Sequence, residues 1–282
     1  MLKDKIILLL KSFKPFFIFV KAAKKFLKKI NFIKKLILYF DKYTTNIKHT
    51  NVRGLKIFME IRSRMDLRRL NYYSLKEPET LDWIDGFEKS NEIIFYDIGA
   101  NVGLYSLYAS IKHFDKIKIF AFEPMSQNIS TLSKNIYINK AKNIIPFCLS
   151  ISDKESIKKL FIPYNRFESS GNRAQFNSDK NIATKLAEKP IIHSEGSVGI
   201  SIDELCFKYN FPIPNHIKID IDGNESDIFM GAKKTLKSKE LKSILFETIN
   251  LPMNEYNILK KILADNGFVN QYKSNVNEIF SK

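Results

Sequence analysis

Apolar positions along the chain follow two alternating periods. Short apolar runs recur at Ile93–Ile98, Ile117–Phe122, Asn143–Leu149, Ser243–Glu247 and Phe268–Tyr272. They are of the length and kind that a sheet covered on both faces needs. Between them lie stretches at helical spacing. Val102–His113 carries Leu104, Leu107, Tyr108 and Ile111 on one stripe. Ser126–Asn139, Ser201–Tyr209, Glu225–Leu236 and Glu255–Asn266 are the other predicted helices. Ser201 with Glu204 suits a capping box, Asn224 a cap, and Gly267 a helix stop. His216–Ile221 alternates as a strand, with Lys218, Asp220 and Asp222 on one face and Ile217, Ile219 and Ile221 on the other. Strand–helix alternation of this kind predicts an α/β fold with a mostly parallel sheet.

Two regions break the alternation. Residues 154–199 hold an extra strand at Leu160–Pro163, a polar Ser/Asn stretch and a second apolar piece at Ile191 and Ile192. They read as an irregular insertion, the usual place for substrate specificity, or as a surface loop. Residues 46–90 read as a bridge, with Leu55–Leu70 a strand then a turn, and Glu77–Asp85 a helix that takes Pro78 in its first turn. The expected organisation is an arm at 1–45, the bridge at 46–90 and the main domain at 91–282.

Charge changes the picture of the arm. The chain has 282 residues and a net charge of +16. Residues 1–40 carry eleven lysines against Asp4, so +10 of that charge sits there. From Ala22 to Phe40, Ala23, Phe26, Leu27, Ile30, Ile33, Ile37 and Phe40 fall on one side of a helix, and Lys24, Lys25, Lys28 and Lys35 on the other. No uncharged run approaches the ~20 residues of a membrane-spanning helix. A basic amphipathic helix suits an anionic membrane surface; it suits packing on the core or on a second subunit equally. The expected location is the cytoplasm, with the arm on the inner membrane face. The Arg62–Arg69 cluster lacks an aromatic ladder, so nucleic acid is not the expected partner. Oligomeric state is not legible.

Cys148 and Cys206 both read as buried thiols of a reducing compartment. His49, His113, His193 and His216 lack metal-ligand spacing, so no histidine metal site is expected.

The chemistry concentrates at two strand ends. In Asp97-Ile98-Gly99-Ala100-Asn101-Val102-Gly103 a strand runs through a glycine turn into a helix, which makes a nucleotide-like pocket at a sheet's carboxyl edge. The spacing is not the G-x-G-x-x-G of dinucleotide sites. Glu123 ends the next strand, 20 residues beyond Gly103, where a carboxylate can accept hydrogen bonds from a ribose diol. Ser152 and Asp153 follow the third strand and can take an adenine amine, or form a simple turn. Asp220 and Asp222, with Glu225 third, are candidate bases. Their alternatives are to bind a divalent metal or a ligand's ammonium, or to cap a helix.

Together, Glu77–Trp83, Phe95–Leu107, Phe122-Glu123-Pro124, Ser201–Leu205 and Lys218–Glu225 resemble the FkbM-type methyltransferase family. The resemblance implies a Rossmann-like class I methyltransferase fold, with a seven-stranded, mostly parallel sheet and helices on both faces. It implies S-adenosyl-L-methionine as cofactor, held by Asp97, Gly99, Asn101, Gly103 and Glu123. It implies methyl transfer to a hydroxyl of a sugar, glycan or related small molecule. The family often carries Asp-x-Glu-Gly where this chain has Asp220-Ile221-Asp222-Gly223. The rival readings are a Rossmann-fold nicotinamide-dependent oxidoreductase, which expects the missing glycine fingerprint, and a non-catalytic membrane-peripheral binding protein.

Overall fold

The computed structural model describes residues 46–88, 92–163, 175–177, 191–221, 223, 225–249 and 251–282. The amphipathic arm predicted over residues 1–45 lies outside them. Residues Ile47–Lys282 form one compact unit. In chain order its strands are β1 (Ile47–Val52), β2 (Leu55–Glu60), β3 (Ile93–Ile98), β4 (Ile117–Phe122), β5 (Ile144–Phe147), β6 (Ser150–Ile151), β7 (Ser156–Pro163), β8 (Gln175–Asn177), β9 (Ile191–Ile200), β10 (His216–Ile219), β11 (Ser243–Glu247), β12 (Val269–Lys273) and β13 (Asn277–Ser281). Its helices are α1 (Arg64–Lys76), α2 (Pro78–Asp85), α3 (Leu104–His113), α4 (Ser126–Asn139), α5 (Ile202–Phe207), α6 (Glu225–Met230) and α7 (Met253–Asp265).

The central sheet has seven strands in the order β12-β13-β11-β10-β3-β4-β5. β11, β10, β3, β4 and β5 are mutually parallel, and β13 runs antiparallel to both its neighbours. The chain winds outward from β3 through β4 to β5, then returns to the other side of β3 as β10. The order therefore reverses between β3 and β10, and ligands of such sheets bind at the carboxyl ends flanking that reversal. This is a Rossmann-like, doubly wound architecture with a seven-stranded, mostly parallel sheet.

Each sheet face has its own core. One joins Phe95, Ile119, Leu107, Tyr108 and Leu132 to Val52, Met59, Tyr73, Leu81 and Ile84. The other joins Tyr96, Ile98, Ile217, Ile219, Phe246, Leu205, Ile228 and Leu259. The stretch read as a bridge is thus part of the main domain's core. Its α2 is anchored by Trp83, whose Nε1 donates to Ser243 Oγ at 2.7 Å. Phe87 follows and stacks on His216 at 3.8 Å between ring centroids.

Several elements depart from the reading of the pattern. Leu55–Leu70 is the second strand of a hairpin followed by the start of a helix. Arg53 and Gly54, at φ 51° and 86°, supply the paired positive φ that a tight hairpin turn needs. Ser63 and Asp66 then cap α1 reciprocally, a capping box with Asp in place of the usual Glu or Gln. The insertion is not irregular throughout. β7 and β9 pair antiparallel from Ser156↔Gly199 to Pro163↔Ile191, with β6 and β8 on the edges of the resulting four-stranded sheet. The helix read as Glu225–Leu236 stops at Met230. Phe268–Tyr272 is not the last strand: β13 follows after a three-residue turn, a link that only an antiparallel pair can use. Its polar start is buried, with Asn277 Nδ2 donating to Glu79 Oε1 and Tyr256 Oη donating to Glu278 Oε1. Cys206 is buried, but Cys148 is exposed because β5 ends at Phe147, one residue before it.

Candidate active site

Asp97 is the penultimate residue of β3 and is 1% exposed. Its Oδ2 accepts a hydrogen bond from Ser106 Oγ on α3 at 2.6 Å, while Oδ1 accepts none. Burial raises the Asp97 pKa, an effect that Lys218 and Ser106 oppose and nearby Asp220 reinforces.

The turn after β3 is shaped by its neighbours. Gly99 N and Ala100 N both donate to Phe122 O of β4, at 2.9 and 3.0 Å. Gly99 has φ +77°, and a Cβ there would lie 2.0 Å from the Asp220 carbonyl oxygen. Gly103 has φ +89°, and a Cβ there would lie 2.4 Å from Leu132 Cδ1. Gly99 is therefore required by the close approach of the Asp220 backbone, whatever a ligand adds, whereas Gly103 meets a leucine side-chain tip and is favoured by its left-handed φ. Asn101 has φ 55°, and its Oδ1 is buried without a hydrogen-bond partner.

Glu123 closes this side of the site. Its Oε2 accepts from Asn101 N and its Oε1 from Met125 N, each at 2.9 Å. Both turns are thereby tied to one carboxylate, which keeps lone pairs for further donors. Burial pushes the Glu123 pKa up to about 7, against hydrogen bonds from Met125, Asn128 and Asn101.

Across the strand reversal the chemistry is ionic. Lys218 stands opposite Asp97 in the β10/β3 register and is 1% exposed. Its Nζ donates to Asp220 Oδ2 at 2.8 Å, lies 3.9 Å from Asp97 Oδ1 and sits 4.8 Å from the Tyr105 ring centroid. Burial disfavours the ammonium, but Asp220, Asp97 and Glu77 outweigh it and hold the Lys218 pKa above its ordinary value. Burial likewise acts to raise Asp220, and the charges of Lys218 and Lys76 with hydrogen bonds to Lys218 and Glu247 overcome it. The carboxyl stays well below the usual range. Tyr105 Oη donates to Glu77 Oε2 at 2.8 Å, and Lys76 pairs with Glu77 on its other oxygen.

Residues 97–270 match the Methyltransferase FkbM domain, which is well over half of the chain. The chain belongs to the FkbM methyltransferase family. Its cofactor is S-adenosyl-L-methionine. The chain is 27% identical over 154 residues to the hexuronic acid methyltransferase AglP of Haloferax volcanii, and spans about half (54%) of that relative's length. Among solved structures it is similar to the precorrin-6y C5,15-methyltransferase of Geobacter metallireducens, with a TM-score of 0.43 and 16% identity over 73% of this chain and 86% of that one. It is also similar to Aeropyrum pernix fibrillarin with natively bound S-adenosyl-L-methionine, with a TM-score of 0.42 and 11% identity over 84% and 83% of the two chains.

The residues at the strand tips fit the cofactor of an FkbM methyltransferase. S-adenosylmethionine brings hydrogen-bond donors in its ammonium and ribose hydroxyls. The β3 and β4 tips offer acceptors in excess: Asp97 Oδ1 and Asn101 Oδ1, both buried and accepting no hydrogen bond, and the remaining acceptor capacity of Glu123. Five of the expected cofactor residues thus lie on two neighbouring strand ends, Asp97, Gly99, Asn101 and Gly103 at the end of β3 and the turn after it, and Glu123 at the end of β4, bound to Asn101 N. Ser152 and Asp153 follow β6: Ser152 N donates to Ile200 O, and the pair packs on Gly231, where a Cβ would lie 2.3 Å from Ser152 O. The segment that follows β5 beside Glu123 is instead Cys148–Leu149, with Cys148 Sγ 3.7 Å from Pro124 O. Asp222 lies outside the described residues. Glu225 opens α6 and accepts from Gly223 N at 3.1 Å.

Pattern reading missed Glu77, Tyr105, Lys218 and Glu247 as site residues. Lys218 carried a signal, since a lysine inside an apolar strand demands a buried counter-charge. Among the described residues no group of three or more His, Cys, Asp or Glu is placed to hold a metal ion.

Proposed function

We propose that the protein transfers a methyl group to a hydroxyl of a sugar or glycan. When bound, S-adenosylmethionine supplies an electrophilic methyl that needs no further activation. The observation that carries the reading is the set of unsatisfied buried acceptors at the tips of β3 and β4, beside a carboxylate held ionised by Lys218. Asp97, Asn101 and Glu123 bind and orient the donor. Asp220, 28% exposed, faces the same tips across the strand reversal. Its depressed pKa makes it a poor proton acceptor and a constant hydrogen-bond acceptor. Its role is to orient the attacking hydroxyl, and alignment carries most of the rate. Support for a sugar acceptor is the relative's name, hexuronic acid methyltransferase, at 27% identity.

The test is to incubate the full chain with S-adenosylmethionine and a panel of hexose and hexuronic acid glycosides, reading S-adenosylhomocysteine release and a methyl gained by mass spectrometry. Release that depends on one of these sugars supports the proposal. Binding of the cofactor with no methyl gained by any sugar contradicts the acceptor class.

A further inference from the structure

Helix α1 (Arg64–Lys76) turns one face inward and leaves the other without a partner among the described residues. Asp66, Leu70 and Tyr73 are buried. The opposite face exposes Arg64, Met65, Arg68, Asn71, Tyr72, Leu75 and Lys76, which recur at the spacing of a single helical stripe. Three of these are large apolar side chains, and Leu75, at the pole opposite the buried stripe, is 72% exposed. Tyr72 is 56% and Met65 43% exposed. The face carries no carboxylate. Among the described residues neither Arg64 nor Arg68 pairs with one.

We infer that this face of α1 docks on an anionic lipid surface. Interleaved cations and apolar side chains are what an interfacial helix presents, the cations to headgroups and the apolar tips to the acyl boundary. A phosphate backbone would neutralise the arginines but leave Leu75 and Met65 in water. A second copy would set Arg64 and Arg68 against like charges. The carboxyl end of α1 leads through Lys76 and Glu77 to Tyr105, beside Lys218. Docking therefore brings the catalytic strand tips near the membrane, where a lipid-linked acceptor would lie. The inference concerns binding alone and stands or falls independently of the proposed reaction.

The experiment is co-sedimentation of the full chain with vesicles of phosphatidylcholine, with and without one quarter phosphatidylglycerol. Variants are Tyr72→Ser/Leu75→Ser and Arg64→Glu/Arg68→Glu. All four positions are exposed, so both variants keep the wild-type affinity for S-adenosylmethionine, which is measured alongside as the check on folding. The wild type is expected to partition at least tenfold better onto the anionic vesicles. Each cation near such a surface is worth about fivefold in partitioning, so the charge-reversal pair loses roughly 25-fold or more, and the serine pair about tenfold. Partitioning unchanged in both variants overturns the inference and assigns any binding to another segment. Equal binding to neutral vesicles overturns it too. So does a dimer in sedimentation equilibrium that Leu75→Ser dissociates, which would make the face an interface between copies.

Discussion

The two halves of the site, on either side of the β3/β10 reversal, use polar groups in opposite ways. At the tips of β3 and β4, acceptors outnumber donors. Asp97 Oδ1 and Asn101 Oδ1 are buried and accept no hydrogen bond, and Glu123 holds backbone amides with capacity to spare. At the tip of β10 and the neighbouring Glu77, charge is matched. Lys218 serves Asp220 and approaches Asp97, while Lys76 and Tyr105 serve Glu77. Buried unpaired acceptors are costly unless something later satisfies them. Buried paired ions mainly fix geometry. The contrast teaches that the first half is built to receive a ligand rich in donors, and the second to hold a fixed charge beside it.

The sharpest way to break this contrast is to remove the shared cation. Lys218→Met leaves Asp97 and Asp220 facing each other across the reversal without a counter-ion. It is expected to cost about 3–5 kcal/mol of stability, read by urea denaturation. Asp220→Leu added to it is expected to recover part of the loss. A neutral single variant would mean that the pair is not a unit.

Gly99→Ala is expected to cost roughly 1–3 kcal/mol. The new Cβ meets the Asp220 carbonyl at 2.0 Å in a backbone conformation that L side chains rarely adopt. Because the clash joins the two halves, S-adenosylmethionine affinity should fall along with stability. A stable variant with normal affinity would show that the two tips are not in contact. Smaller still is Ser106→Ala, which removes the 2.6 Å hydrogen bond to Asp97. It is expected to cost about 1 kcal/mol and to weaken cofactor binding without changing the response to loss of Lys218.

The two halves were also unequally legible in the sequence. The β3–α3 turn is local: strand, turn and helix start are contiguous, so Asp97, Gly99, Asn101 and Gly103 can be read from spacing, and Glu123 follows one strand later. The reason for the glycines was not local. Their Cβ positions are filled by Asp220 and Leu132, far along the chain. Lys218 and Asp220 could be placed on one face by alternation, and they do face each other at 2.8 Å. Glu77 and Tyr105 could not be joined to them, because their meeting depends on how α1, α2 and α3 pack on that face. β13 was missed for the same reason. Asn277 and Glu278 look like solvated loop residues until Glu79, Tyr256 and Asn270 are brought to them.

The most direct test is titration of S-adenosylmethionine into the full chain and into Glu123→Gln, from about pH 6 to about pH 8. Glu123 is raised to about 7 by burial, and donor groups of the ligand favour its ionised form. Binding should therefore tighten as pH rises through 7 and release a proton below it. Glu123→Gln should bind roughly 10- to 100-fold more weakly, with no pH dependence in that window. Wild-type affinity that is flat with pH, or a glutamine variant that binds as tightly, would contradict the claim that these strand tips hold the cofactor.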